Sequence, residues 1–84
     1  MFYVYVIQSQ IDKSWYIGYT KDLDLRIKQH NRGESIHTRK HLPYNLICYF
    51  ALPNKKDAKR YEKYLKSGYG RRTLKKMLKE YLSI

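Results

Sequence analysis

Eighty-four residues are enough for one small domain (residues 1–84) with a thin core, and too few for a second. The chain is 43% hydrophobic with ten tyrosines, which excludes a disordered tail, and no apolar run approaches the ~20 residues of a membrane span. Eighteen Lys and Arg against seven Asp and Glu leave a net charge of +11, a self-repelling surface that points to an anionic partner, nucleic acid first and an acidic membrane surface second, ahead of a solvated basic surface kept for solubility. The single cysteine, Cys48, forbids an internal disulfide and fits a reducing compartment, so a soluble, cytoplasmic domain is expected.

Phe2–Gln8, with apolar residues on both faces, reads as a central strand. Ser9–Ser14 is polar enough to turn, and Trp15–Tyr19 returns as the second arm of a hairpin. Tyr3 and Tyr5 share one face of the first strand, and Tyr16 falls near Tyr5 across the hairpin. Gly18 is expected to serve a tight turn or a close backbone approach. Thr20 can cap a helix from Lys21 to about Asn31, closed by Gly33. Leu23, Ile27 and His30 share one face of that helix, with Arg26 on the same side. Glu34–Pro43 is a basic loop, and Tyr44–Leu52 a third strand ended by Pro53. Cys48 lies within that apolar run, where an inert thiol is expected.

Asn54 and Asp57 mark the start of a helix from about Lys55 to Ser67, stopped by Gly68-Tyr69-Gly70. Its apolar face carries Ala58, Tyr61 and Leu65, and Glu62 falls on that same face. A last helix, about Arg71–Tyr81, shows Leu74, Met77, Leu78, Tyr81 and Leu82 as a stripe cut to pack on the sheet. The expected class is α+β: a small three-stranded antiparallel sheet flanked by helices in the order β-β-α-β-α-α.

Arg26 and Glu62 each occupy a helix face where an apolar residue would pack better, and an ion taken out of water costs several kcal/mol in order of magnitude unless compensated. Either they are boundary residues, even a salt bridge between helices, or they line a cleft, Glu62 for a metal and Arg26 for a phosphate. His37 and His41 lie four apart in a loop with Pro43, and one cysteine leaves no ligand set at zinc spacing.

In this order the residues resemble the GIY-YIG nuclease family. Tyr3-Val4-Tyr5 stands where its first motif belongs, Tyr16-Ile17-Gly18 matches the second, and Arg26 with His30 fits the signature YIGxTxDLxxRxxxHN. Glu62, on a later helix, matches the family's metal-binding glutamate. The likeness runs from about Phe2 to Arg72 and is greatest to short stand-alone members related to the N-terminal nuclease domain of the excision-repair incision subunit. It implies a divalent-metal-dependent endonuclease acting on DNA, with Glu62 ligating Mg²⁺ (or Mn²⁺), Tyr5 as general base or water-positioning group and Tyr16 holding the phosphate or helping to activate water. Arg26 would bind the phosphate and His30 orient a tyrosine or touch substrate. Tyr3 replaces the first motif's glycine, Gln8 stands where relatives often carry a basic residue, and the asparagine that often follows the glutamate has no match. The alternative is a non-catalytic nucleic-acid-binding module on the same fold. Contacts to nucleic acid, DNA favoured over RNA, are expected from Lys21, Lys28, Arg32, His37, Arg39, Lys40, Arg71 and Arg72.

Overall fold

The computed structural model describes residues 1–83. Strands β1 (Phe2–Ser9), β2 (Trp15–Thr20) and β3 (Tyr44–Leu52) form one antiparallel sheet in the order β2-β1-β3. Helix α1 (Leu23–Asn31) lies between β2 and β3 in sequence; α2 (Lys55–Lys66), α3 (Gly68–Met77) and the single turn α4 (Lys79–Leu82) follow. This is the expected α+β order, with the last helix broken in two.

As the central strand, β1 is covered on both faces, which explains its unbroken apolar run. Val4 and Val6 point to one side, where Ile17 joins Ala58 and Leu65 of α2 and Leu74 of α3. Tyr5 and Ile7 point to the other, against Leu23 and Ile27 of α1, with Tyr16, Leu42 and Tyr44. The chain therefore makes three layers, with α1 on one side of the sheet and α2 and α3 on the other. A register shift on β3 between the partners of Val6 and Ile7 absorbs one extra residue there.

The ends of the helices correct two expectations. Asp22, not Thr20, caps α1: its carboxylate accepts from the Leu25 amide at 3.2 Å, while Thr20 stays in β2 and its hydroxyl bonds to the Asp22 backbone. Gly33, at φ +76°, does close α1. The Gly68-Tyr69-Gly70 segment does not merely stop α2. Ser67 ends that helix and caps the next through the Gly70 amide at 3.2 Å, so α3 begins at Gly68. A Cβ at Gly70 would overlap the Tyr64 carbonyl and the Leu65 backbone, so glycine is there to let α3 cross α2 closely. The expected stripe on the last helix also fails. Leu74 is buried, whereas Met77 is 52% exposed and Tyr81 and Leu82 are exposed as well, because the helix breaks at Leu78 and the last turn meets the sheet through the Tyr81 hydroxyl on Gln8 rather than through an apolar face.

Candidate active site

Pairing of β1 with β2 sets Tyr5 opposite Gly18 and Ile7 opposite Tyr16, which makes Tyr16 the diagonal neighbour of Tyr5 on one face. Their ring centroids are 6.4 Å apart. A Cβ on Gly18 would overlap the Tyr5 hydroxyl and ring, so Gly18 serves close approach; it lies inside β2 and makes no turn. On this face α1 delivers His30, fully buried, with ring centroids 5.6 Å from Tyr5 and 5.2 Å from Tyr16. The Tyr5 hydroxyl bonds to His30 Nε2 at 2.7 Å, and Nδ1 bonds to the hydroxyl of Thr38 at 2.7 Å. Thr38 sits in the basic loop yet is completely buried.

Burial decides the charge state of this chain of groups. It pushes the Tyr5 phenol up to about 12, although the Arg26 guanidinium beside it acts in the opposite direction; Tyr16 and Glu62 add smaller upward pushes. Burial, with Arg26 again nearby, pulls the His30 imidazole down to about 4. At neutral pH both are uncharged. The neutral ring then bridges Tyr5 and Thr38 in either tautomer, donating through one nitrogen and accepting through the other. Tyr16 is half-buried, and among the described residues none hydrogen-bonds its hydroxyl.

Arg26 and Glu62 do not pair with each other. Arg26 donates from Nη1 to the Gln29 side chain at 3.1 Å, and among the described residues it has no carboxylate partner. Glu62, its side chain 22% exposed, meets Lys66 one turn along α2 at 3.1 Å. It approaches from the opposite layer, on a helix packed against β1 and the edge strand β2, near enough for its charge to act on Tyr5. Among the described residues no three His, Cys, Asp or Glu side chains form a metal cage. A lone carboxylate suits Mg²⁺ or Mn²⁺ better than zinc, since Mg²⁺ keeps several waters and shares its shell with phosphate oxygens.

The basic residues expected to touch nucleic acid are all exposed, in two groups. Lys21 adjoins α1, which carries Lys28; Arg32, His37, Arg39 and Lys40 lie in the connection to β3 on the same side. Arg71 and Arg72 lie on α3, across the sheet. Arg32 is partly neutralised by Glu34 at 2.7 Å. His41 holds the hairpin turn, with Nδ1 2.9 Å from Asp12 and its carbonyl accepting from the Ser9 hydroxyl at 2.6 Å.

Three roles were not readable in advance. Thr38 gave no signal, because a threonine in a charged loop looks like any other. Asn31, the last letter of the quoted signature, clamps β3: its amide donates to the Tyr44 carbonyl at 3.1 Å and accepts from the Tyr44 amide at 2.7 Å. Tyr44 in turn packs 6.3 Å from His30. Gln8 is a structural tie, donating to the Lys13 carbonyl at 3.0 Å and accepting from the Tyr81 hydroxyl. It points to the face of β1 opposite Tyr5.

Two tyrosines, a histidine and an arginine thus gather over the central strand of a small three-layer domain, and a glutamate arrives from a later helix. Residues 1–76 match the model of the GIY-YIG catalytic domain, and the chain belongs to this family of nucleases. It is 44% identical over 61 residues to UPF0213 protein BH0048 of Halalkalibacterium halodurans, covering 71% of this chain and 64% of that protein. To UPF0213 protein YazA of Bacillus subtilis it is 38% identical over 65 residues, covering 76% and 65%. The matches therefore span just under two thirds of those two relatives. The solution NMR structure of BH0048 superposes with a TM-score of 0.57 at 38% identity, covering 92% of this chain and 85% of that one.

Proposed function

We propose that this chain is a divalent-metal-dependent endonuclease that hydrolyses DNA phosphodiester bonds and selects branched or single-stranded structure rather than sequence. The observation that carries the reading is Arg26: a half-buried guanidinium without a carboxylate partner among the described residues, beside a buried Tyr5–His30 pair. A cation held in that state suits a phosphate, to which it can donate a forked pair of hydrogen bonds as negative charge grows.

The geometry favours a division of labour between the tyrosines. Tyr5 keeps its proton, since its phenol is held near 12 and its hydrogen-bond partner near 4. Its task is to present a fixed hydroxyl to the phosphate or the attacking water. Tyr16, with its hydroxyl unengaged, is the phenol left to contact and activate that water. His30 positions Tyr5, and Thr38 positions His30. Glu62 would hold Mg²⁺ or Mn²⁺, which when bound neutralises charge on the phosphate and the leaving oxygen. Water adds to phosphorus, one backbone P–O bond breaks, and the products are a phosphomonoester and a hydroxyl.

Purified protein incubated with flapped, branched, single-stranded and duplex DNA in Mg²⁺ or Mn²⁺ tests the reading. Cleavage of at least one form, lost on chelation and in Tyr16→Phe, is expected. Intact DNA in every arm despite tight binding would leave a basic binding module on a nuclease fold. Outside the cluster, the groups expected to meet the substrate are Lys, Arg and His side chains, which grip the backbone of any sequence, so low sequence preference is expected as well.

A further inference from the structure

On α3, Gly68–Met77, there are four cations and no acid, and the helix buries only Gly70 and Leu74. Among those cations stands an aromatic side chain with no packing role. Tyr69 is 72% exposed, and the Arg72 guanidinium lies 4.7 Å from its ring centroid. Tyr64 rises beside it from α2, 40% exposed. Its hydroxyl donates to Thr73 Oγ1 at 2.8 Å, and Thr73 donates onward to the Tyr69 carbonyl at 3.1 Å. Tyr61 stacks against it at 6.0 Å and 25°. Tyr64, Tyr69, Arg72, Thr73 and Lys76 line a hollow of about 330 Å³.

Tyr61 and Thr73 hold the Tyr64 ring in place, and Tyr69 stands in solvent beside it with Arg72 against its ring. A fixed ring loses little freedom when a flat ligand stacks on it, and two cations with no acid in the lining favour an anionic one. A second hollow, beside the start of α1, also has two tyrosines, Tyr3 and Tyr49, but there Asp22 and Asp24 outnumber Lys21 and repel phosphate. We propose that the α2–α3 hollow is a stacking subsite for unpaired nucleotides of a nucleic-acid strand. Bases lie on Tyr69 and Tyr64, and phosphates are met by Arg72 and Lys76. The proposal rests on the reading that the partner is nucleic acid, and places its unpaired part. Tyr64 is two residues from Glu62 on α2, roughly 200° around the helix, so one helix diameter of about 10–12 Å separates the hollow from the proposed metal ligand.

The test is binding in EDTA by fluorescence anisotropy, with a labelled dT12 strand, an abasic strand of equal length and a short duplex. Wild type should prefer dT12 to the abasic strand. Tyr69→Ala should weaken dT12 binding roughly 5- to 100-fold while leaving the other two unchanged, and Tyr69→Trp should restore it. Because Tyr69 is exposed, the melting curve of Tyr69→Ala should match wild type. An equal loss on all three probes, no loss on dT12, or displacement of dT12 by poly-glutamate of matched charge as effectively as by unlabelled dT12 would each overturn the subsite. The last would assign the hollow to an acidic protein. Since nothing is cleaved in EDTA, Tyr69-dependent binding by a protein that cuts no substrate keeps the subsite and sinks the nuclease reading. Cleavage without any Tyr69 dependence does the reverse.

Discussion

His30 makes the most specific demand on its surroundings of any residue in the domain, since a fully buried imidazole must find partners for both nitrogens or stay unsatisfied. It finds Tyr5 and Thr38. The consequence can be measured. The folded ring titrates near 4 and the unfolded ring near 6.5, so below 6.5 the unfolded chain binds a proton that the folded one refuses. The stability tied to this neutral ring is complete above pH 6.5 and is lost as pH falls toward 4. An NMR titration of His30 should show a midpoint near 4; a midpoint between 6 and 7 would mean that the ring is solvated. Tyr5 has the mirror behaviour: the stability tied to its neutral phenol holds below pH 10 and is lost as pH rises toward 12. Gly18 is the other demanding position. Gly18→Ala should displace the Tyr5 ring, cost about 1–3 kcal/mol by overpacking and abolish cleavage. Tyr5, Tyr16 and their shared face were legible because strand alternation and a short hairpin leave few other placements. Thr38 and the Asn31 clamp were not, since a buried loop hydroxyl and a side chain mimicking a strand depend on tertiary geometry.

Among the helices, α1 was readable from its apolar spacing although its cap lies at Asp22 rather than Thr20, and α2 from its periodicity and its Asn54 cap, while the last helix was not. Leu74, Met77, Leu78, Tyr81 and Leu82 keep a helical period, but period alone cannot show that the helix breaks at Leu78. Nor could two glycines around Tyr69 reveal which side of them was helical, because glycine both ends helices and permits close crossings. Substitution separates the two views. Leu74→Ala should cost about 2–5 kcal/mol, since Leu74 is a buried anchor of α3, whereas Met77→Ala should fall within ~0.5 kcal/mol of wild type in chemical denaturation. Equal losses at both positions would restore the continuous stripe. Gly70→Ala should also destabilise, with the Tyr64 carbonyl in the way of the added methyl.

Across the whole molecule, the +11 charge is divided by the sheet. One cationic group accompanies α1 and its following loop, beside the tyrosine–histidine cluster; another accompanies α2 and α3, beside the exposed rings. Composition pointed to an anionic partner, but only the fold separates the two faces. Binding should therefore depend steeply on salt, with the slope of log K against log salt shallower in Arg71→Gln/Arg72→Gln than in wild type. A slope that does not change would remove α3 from the interface.

In the proposed function, a buried Tyr5–His30 pair, with Tyr16, Arg26 and Glu62, forms a site for cutting phosphodiesters with a divalent ion. The most direct measurement compares wild type with Glu62→Gln on the panel of flapped, branched, single-stranded and duplex DNA in Mg²⁺, reading cleavage and affinity together. Wild-type cleavage of at least one substrate, with cleavage lost and affinity kept in Glu62→Gln, is the expected result. Equal cleavage by both proteins, or none by either, would contradict it.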